Sequence, residues 1–454
     1  MTRLKWPDVW LLIALLVLTI GGAVALNRAA SVDPETKRLS YYRHYWQTVF
    51  DSLSATCGVG LLTYDFKDDY TPTGRWILTG LGVAGAVLFL GATTHAARRM
   101  QGREARVRVP HPLLVICGFL VIQLVAVGIY LLANRLSDVP DRAVCGLAAF
   151  SSLGWGGQLL YDANGGGTDA WPLALLAWIA AIGWPVWLLA IPAWFRKFGL
   201  HRTETTPVPT LALLGGYVAC LLLATLLLCL FETTSAPIGR GGPNTTLSGQ
   251  TAPQRCLRSL IQVTAASGAG IPTENLKERN VSEGTKIVLA AVLLTGGQAG
   301  SATGGMQFPL LMWALAGGLA GAFRFGRERQ APDVQRWMHA GMALFVLMIL
   351  LTVVVAGGLL LLEQWTASAY QTPSSFADAL LDAGSVVAGG NLSGGLTETL
   401  TSRNLISGLN QPVNLYQYGM GWLMLAMLLG RVLPVTVLRR LSEHRDAPRV
   451  SALV

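Results

Sequence analysis

The sequence predicts an all-α polytopic membrane protein made of four helix–loop–helix repeats, with eight spans and four re-entrant loops. Three observations carry this. Of 454 residues, 52% are hydrophobic and only 13% are charged, whereas a soluble domain carries roughly a quarter of charged residues. The charges are bunched, which leaves apolar stretches long enough to cross a bilayer core. A unit of long apolar helix, short amphipathic helix, glycine-rich loop and long apolar helix recurs about every 100 residues.

The first repeat, 1–100, opens with the span Val9–Leu26. Arg3 and Lys5 precede it and Ala23-Val24-Ala25 imitates a cleavage site, but the run exceeds a signal core and is read as a retained helix. A polar stretch follows. Tyr45–Ala55 then places Trp46, Val49, Phe50 and Leu53 at helical spacing, too short to span. The loop Cys57-Gly58-Val59-Gly60 comes next, and Trp76–Thr93 spans again. The second repeat, 101–200, has the span Leu113–Leu132, the short helix Ala143–Ser151, the loop Ser152-Leu153-Gly154-Trp155 and the span Trp171–Trp194. The third, 201–330, has the span Leu211–Phe231, a polar loop Glu232–Pro253, the short helix Arg255–Ala266 and the loop Gly268-Ala269-Gly270. The fourth, 331–454, has the span Met338–Leu362, the short helix Phe376–Gly384, the loop Gly389-Gly390-Asn391-Leu392 and the span Gly419–Leu438.

The formal net charge is +9. Basic residues cluster between repeats: Arg98 to Arg108, Arg196 to Arg202, Arg324 to Arg336 and Arg439 to Arg449. Under the positive-inside rule these are solvated cytoplasmic loops, with both termini cytoplasmic, so every short helix and loop re-enters from outside. No nucleic-acid motif accompanies them, so no nucleic-acid partner is expected. Trp46, Trp155, Trp171 and Trp422 are read as interfacial aromatics. The six cysteines form no CxxC pair and imply neither a zinc site nor a disulfide framework. No nucleophile–base pair or nucleotide motif is present, and enzymatic activity is not expected.

Aligned by their loops, the repeats place Gly60, Gly154, Gly270 and Asn391 at one position, with Asp51 and Asp382 nine residues earlier in the first and fourth. At membrane depth a glycine loop can present backbone carbonyls to a cation around one pore, while each short helix points its partially negative end inward. The two aspartates either draw cations or accept from backbone donors behind the loops. The third repeat departs from the others. Its closing span breaks after Ile287–Leu294 and resumes at Phe308–Ala322, with five glycines in the ten residues Gly296–Gly305 between. Helix cannot hold there. Unwound chain across the pore's inner path is the geometry of a gate at residues 295–307; a plain kink is the alternative.

These motifs resemble the bacterial potassium-uptake membrane subunits of the Trk/Ktr/HKT superfamily, whose relatives include plant high-affinity potassium transporters. The residues that carry the resemblance are the four loops in order, Phe150-Ser151-Ser152-Leu153-Gly154-Trp155 in the second, the intramembrane run Gly296-Gly297-Gln298-Ala299-Gly300-Ser301-Ala302-Thr303-Gly304-Gly305-Met306-Gln307, and Gly430-Arg431 in the last span. The resemblance implies a K+ filter formed by Cys57, Gly58, Val59 and Gly60, by Ser152, Leu153 and Gly154, by Gly268, Ala269 and Gly270, and by Gly389, Gly390 and Asn391. It implies a gate formed by Gly296, Gly297, Gln298, Gly300, Gly304, Gly305 and Gln307 with Arg431. It further implies a homodimer with one pore per subunit in the bacterial inner membrane, regulated by a cytosolic nucleotide-binding ring protein. Two positions depart: Asn391 stands where the pattern has glycine, unless Gly390 serves after a one-residue shift, and Gln307 stands where it has lysine. K+ is therefore the expected cargo and Na+ the alternative. A scaffold or sensor that keeps the fold without conducting, and a coupled symporter, are the other readings. Arg431 either anchors the intramembrane run through its freed carbonyls or snorkels to the interface.

Overall fold

The computed structural model describes residues 6–28, 41–64, 66–67, 69–100, 111–134, 139–153, 170–183, 186, 208–234, 247–274, 276, 281–298, 301–323, 332–366, 374–394, 396 and 413–443. Among these the chain is helical, with 13 α-helices and no strand. They are α1 Trp6–Arg28, α2 Tyr41–Thr56, α3 Pro72–Met100, α4 Pro112–Ala133, α5 Val139–Phe150, α6 Trp171–Ile182 and α7 Val208–Thr234. The rest are α8 Ala252–Gly268, α9 Glu283–Thr295, α10 Phe308–Phe323, α11 Pro332–Thr366, α12 Phe376–Ala388 and α13 Val413–Glu443. Most run a few residues past the apolar stretches that predict them, because caps and not hydropathy end a helix. Pro112 starts α4 at its first turn, where no N–H is needed, and His111 accepts from the Leu113 N–H. Ser375 and Asp378 close a reciprocal capping box on α12.

Six described helices, α1, α3, α4, α7, α11 and α13, are long and apolar enough to cross a membrane. They turn leucine, valine and isoleucine outward, as on α4, where Leu113, Leu124 and Leu132 are exposed. Such faces suit a lipid solvent. The short helices bury their carboxyl ends instead: α8 is buried over most of its second half, and in α12 eleven of the 13 residues are buried.

The packing order closes on itself. Helix α3 lies against α4 and α5, α6 against α8, α9 against α12, α10 against α11, and α13 returns to α3 and α2. Glycines permit the tightest of these approaches. A Cβ on Gly85 of α3 would lie 1.9 Å from the Thr56 carbonyl oxygen, at the end of α2. One on Gly430 of α13 would lie 2.0 Å from the Val387 oxygen, near the end of α12.

The structure departs from the sequence expectations in two places. Helix α6, expected to run over Trp171–Trp194, breaks at Gly183, which takes φ 82, a backbone conformation that interrupts a helix; beyond it in that stretch only Val186 lies within the described residues. Arg439, expected in a solvated loop, is buried within α13 at 7% exposure. Trp422 is half-buried, and its indole N–H stands beside Gly358 of α11. Of the inter-repeat basic clusters, 101–110, 184–185, 187–207, 324–331 and 444–454 lie outside the described residues.

The close approaches make a prediction. Gly85→Ala and Gly430→Ala force two backbones apart and should each cost about 1–3 kcal/mol. Gly21→Ala and Gly421→Ala, which would meet nothing within 4 Å, should leave the thermal unfolding of the detergent-solubilised protein unchanged.

Candidate functional site

The site is built from the carboxyl ends of the four short helices and the chain that leaves them. In the first loop the Val59 and Gly60 N–H groups both donate to the Ser54 carbonyl, at 2.9 and 3.4 Å. In the second, the Leu153 N–H donates to Ala148 O at 2.9 Å; in the third, the Gly270 N–H donates to Ala265 O at 3.0 Å. In the fourth, the Gly389 N–H donates to Ser385 O at 3.0 Å. Left-handed backbone occurs at Gly58 (φ 68), Gly60 (φ 80), Gly270 (φ 63) and Gly389 (φ 80), and also at Ser152 (φ 63), which is not a glycine. A side chain at that φ is strained, so Ser152 needs outside support. It receives it from the next loop: Ser152 Oγ donates to the Gly268 carbonyl at 2.8 Å.

The loops meet one another. The Asn391 N–H donates to Gly270 O at 3.3 Å. A Cβ on Gly270 would lie 2.5 Å from Asn391 N, and one on Gly389 3.0 Å from Gly58 O. Contacts therefore join loops 2 and 3, 3 and 4, and 4 and 1. Two of the oxygens expected to face an ion, those of Gly268 and Gly270, accept hydrogen bonds from neighbouring loops in this arrangement. The sequence reading placed Gly154 in the second loop; it lies outside the described residues, as does Trp155.

Behind the loops sits a set of acceptors that hold the returning chain. Asp51 accepts from the Thr63 N–H at 2.7 Å, the Thr63 hydroxyl at 2.8 Å and the Tyr70 hydroxyl at 2.5 Å. Asp382 accepts from the Gly394 N–H and from the Ser393 hydroxyl at 3.3 Å. Both aspartates are fully buried. Of the two roles open to them, they take the structural one, accepting from backbone donors. The donor lies 12 residues after the aspartate in each case, so the two loops share a register. Asn391 stands at the same interval from its aspartate as Gly60, but Gly60 is left-handed (φ 80) and Asn391 is not. Its side-chain N–H2 is buried without a hydrogen-bond partner among the described residues.

Gln262 does the same task in the third loop. Its Oε1 accepts from the Thr273 N–H at 2.9 Å, the Thr273 hydroxyl at 2.7 Å and the Glu274 N–H at 3.1 Å. Sequence alignment misses it, because it stands one position later than the aspartates and compensates with one more methylene. In the second loop Gln123 of α4 reaches across to the Ser151 hydroxyl at 2.9 Å. The only sequence signal for these glutamines is a polar residue on a buried face. Further out, Lys286 of α9 pairs with Asp378, the capping residue of α12, and both are buried. Glu274 pairs with Arg258 at 3.5 Å.

The unwound run lies beneath the loops. Helix α9 ends at Gly296 (φ 67) and α10 begins at Phe308, directly after Gln307 (φ 65). The break expected from sequence is therefore present at that place. The chain between is tied down at both edges. The Gln298 N–H donates to Ala181 O at 2.7 Å, using a carbonyl freed where α6 stops, and Gln298 Nε2 donates to Leu213 O of α7 at 3.0 Å. The Gly297 N–H donates to the Thr303 hydroxyl at 2.9 Å. A Cβ on Gly304 would lie 1.8 Å from Ala388 O, and one on Gly305 2.7 Å from Leu293 O. Gln307 is 2% exposed, and its Nε2 has no partner among the described residues. Gly300 lies outside them.

Arg431 joins the two layers. It is 4% exposed, so it does not snorkel. One guanidinium nitrogen donates to Ala302 O at 2.8 Å, and the guanidinium carbon stands 3.8 Å from the centre of the Phe89 ring. A Cβ on Gly58 would lie 3.5 Å from it and one on Gly304 3.0 Å. A fixed positive charge thus sits between the first loop and the unwound run. Phe89 carried no signal in the sequence, because a phenylalanine on an apolar helix has many uses.

A stability series tests the acceptor set. Asp51→Ala strips three buried donors of their acceptor and should cost about 2–4 kcal/mol. Asp51→Asn removes the charge but keeps an acceptor oxygen, and should cost less than half of that in the same thermal-unfolding assay. Equal losses would mean that charge, and not acceptance, is what Asp51 supplies.

No family model matches the sequence, and no curated protein matches it. The fold does have a solved counterpart. The chain superposes on the crystal structure of the potassium transporter TrkH from Vibrio parahaemolyticus with a TM-score of 0.62 and 17% identity, covering 96% of this chain and 85% of that one. The protein accordingly has a TrkH-like, all-helical polytopic fold.

Proposed function

We propose that this protein carries K+, or another monovalent cation, inward through a pore lined by its four glycine-rich loops. The observation that carries the reading is their convergence: contacts among Gly58, Ser152, Gly268, Gly270, Gly389 and Asn391 join loop 2 to 3, 3 to 4 and 4 to 1 at the ends of four short helices. Backbone oxygens replace a potassium ion's water shell without adding net charge, and four helix carboxyl ends add a favourable field. The likeness to a solved potassium transporter supports the same reading.

In the mechanism that follows, the filter comprises residues 57–60, 152–154, 268–270 and 389–391. The ion enters from outside, sheds part of its water there and is driven by the membrane potential. Carbonyl supply is thinner than in a four-fold glycine-rich filter. Asn391 adds a side-chain donor where glycine would leave open space, and Gly268 and Gly270 share their oxygens with neighbours. Weaker preference for K+ over Na+ follows. Below, the run 296–307 blocks the path, and opening it requires releasing Gln298 from Ala181 O and Ala302 from Arg431. The eight-span, four-repeat topology, the cytoplasmic termini, the bacterial inner membrane, the homodimer and a cytosolic nucleotide-binding ring as regulator complete the proposal.

A second reading is favoured by Asn391 and Gln307: a non-conducting scaffold or sensor on the same fold. Growth of an uptake-deficient bacterium at limiting potassium decides between them, together with rubidium and sodium flux in proteoliposomes. Rescue by the wild-type chain that Gly60→Asp abolishes is expected, with Asn391→Gly raising the K+/Na+ flux ratio severalfold. Normal membrane levels with no flux, in the wild type and in Asn391→Gly alike, would sink conduction and leave the scaffold.

A further inference from the structure

Cys229 and Cys256 play no part in the loop contacts, yet their sulfurs stand 3.2 Å apart. Cys229 lies 5 residues before the end of α7, and Cys256 lies 4 residues into α8. No other two cysteines are hydrogen-bonded among the described residues. Their spacing, 27 residues across a polar loop, gives no sign of this proximity.

We propose that Cys229 and Cys256 are a redox-active thiol pair that forms a reversible disulfide, tying the outer end of α7 to the start of the short helix α8. Three features of the geometry support it. The sulfurs need to close by only about 1 Å to reach bonding distance. Both helix ends are pinned, so the thiols stay opposed: Glu232 accepts from the Ser282 N–H at 2.8 Å just beyond Cys229, and Arg255 donates to Leu247 O at 3.1 Å just before Cys256. Exposure is unequal. Cys256 is exposed and open to an incoming reagent, whereas Cys229 is buried and reaches only its partner.

The co-reactant is a disulfide, small or protein-borne. The exposed Cys256 thiolate attacks one of its sulfurs and expels the other as a thiolate, leaving a mixed disulfide. Cys229 sulfur then attacks Cys256 sulfur and expels the second thiolate. The two protons lost by the cysteines pass to the two expelled thiolates. The pair is oxidised by two electrons and one disulfide is reduced to two thiols. Under the orientation proposed above, the pair faces the outer compartment, where disulfides persist. The bond itself does not depend on what crosses the pore.

The test uses the full chain, in sealed right-side-out vesicles and after solubilisation, treated with oxidised glutathione, which does not cross membranes. Free thiols are counted by maleimide mass tagging, and linked peptides are identified by mass spectrometry. The expected result is a fall from six reactive thiols to four in both preparations, a linked peptide joining Cys229 to Cys256, and return to six with dithiothreitol. Cys117→Ser/Cys220→Ser, which leaves the pair intact, should still lose two thiols. Cys256→Ser should form no internal link. Six thiols persisting in solubilised protein, or a link through any other cysteine, overturns the proposal. A link formed only after solubilisation overturns its outward placement, and with it the orientation, without touching the pore.

Discussion

Backbone polar groups at membrane depth have no water to bond, and everything irregular in this structure answers to that constraint. Helices satisfy their own. The four loops and the run 296–307 cannot, so each is supplied with partners from elsewhere. Asp51, Gln262 and Asp382 accept from the chain that returns after a loop. Gln298 donates to a carbonyl that α6 releases by stopping early, and Arg431 donates to the carbonyl of Ala302. Remove these and the loops would have to collapse into helix or draw in water.

The same groups explain why the irregular chain stays in one place. Three different side chains, two aspartates and a glutamine, reach equivalent donors from two helical positions. Acceptance is what they share, not charge. Arg431 is the exception, a buried charge that carries a hydrogen bond on one side and an aromatic face on the other. Its burial is costly unless those contacts hold, which links the position of the unwound run to α13 and α3.

The run 296–307 is held by two kinds of contact. Single hydrogen bonds tie it outward, from Gln298 to the Ala181 and Leu213 oxygens and from Arg431 to the run's own Ala302 oxygen. Apolar packing holds it as well: Met306 of the run lies in the buried cluster that also includes Cys57, Val59 and Met427. Close approach at Gly304 and Gly305 keeps the run compact.

Much of this was legible in the residues alone. Hydropathy places the long helices, because each must cover about 30 Å of hydrocarbon with its own apolar side chains. Amphipathic spacing places the four short helices, and the glycine run at 296–305 announces a broken span, since glycine and helix are incompatible there. The intervals Asp51 to Gly60 and Asp382 to Asn391 already held the common register. Other features belonged to tertiary structure. Gln262 and Gln123 are ordinary polar residues until a neighbouring chain offers the first its donors and the second its acceptors. Phe89 becomes a partner for Arg431 only when α3 and α13 meet. The stretch after Trp171 reads as continuous by hydropathy, yet helix α6 breaks at Gly183, where local backbone geometry outranks it. Cys229 and Cys256 meet only because the last turns of α7 pack against the first turns of α8. Periodicity and composition report how each segment meets its solvent; which side chain meets which carbonyl is decided when segments distant in sequence share the same buried space.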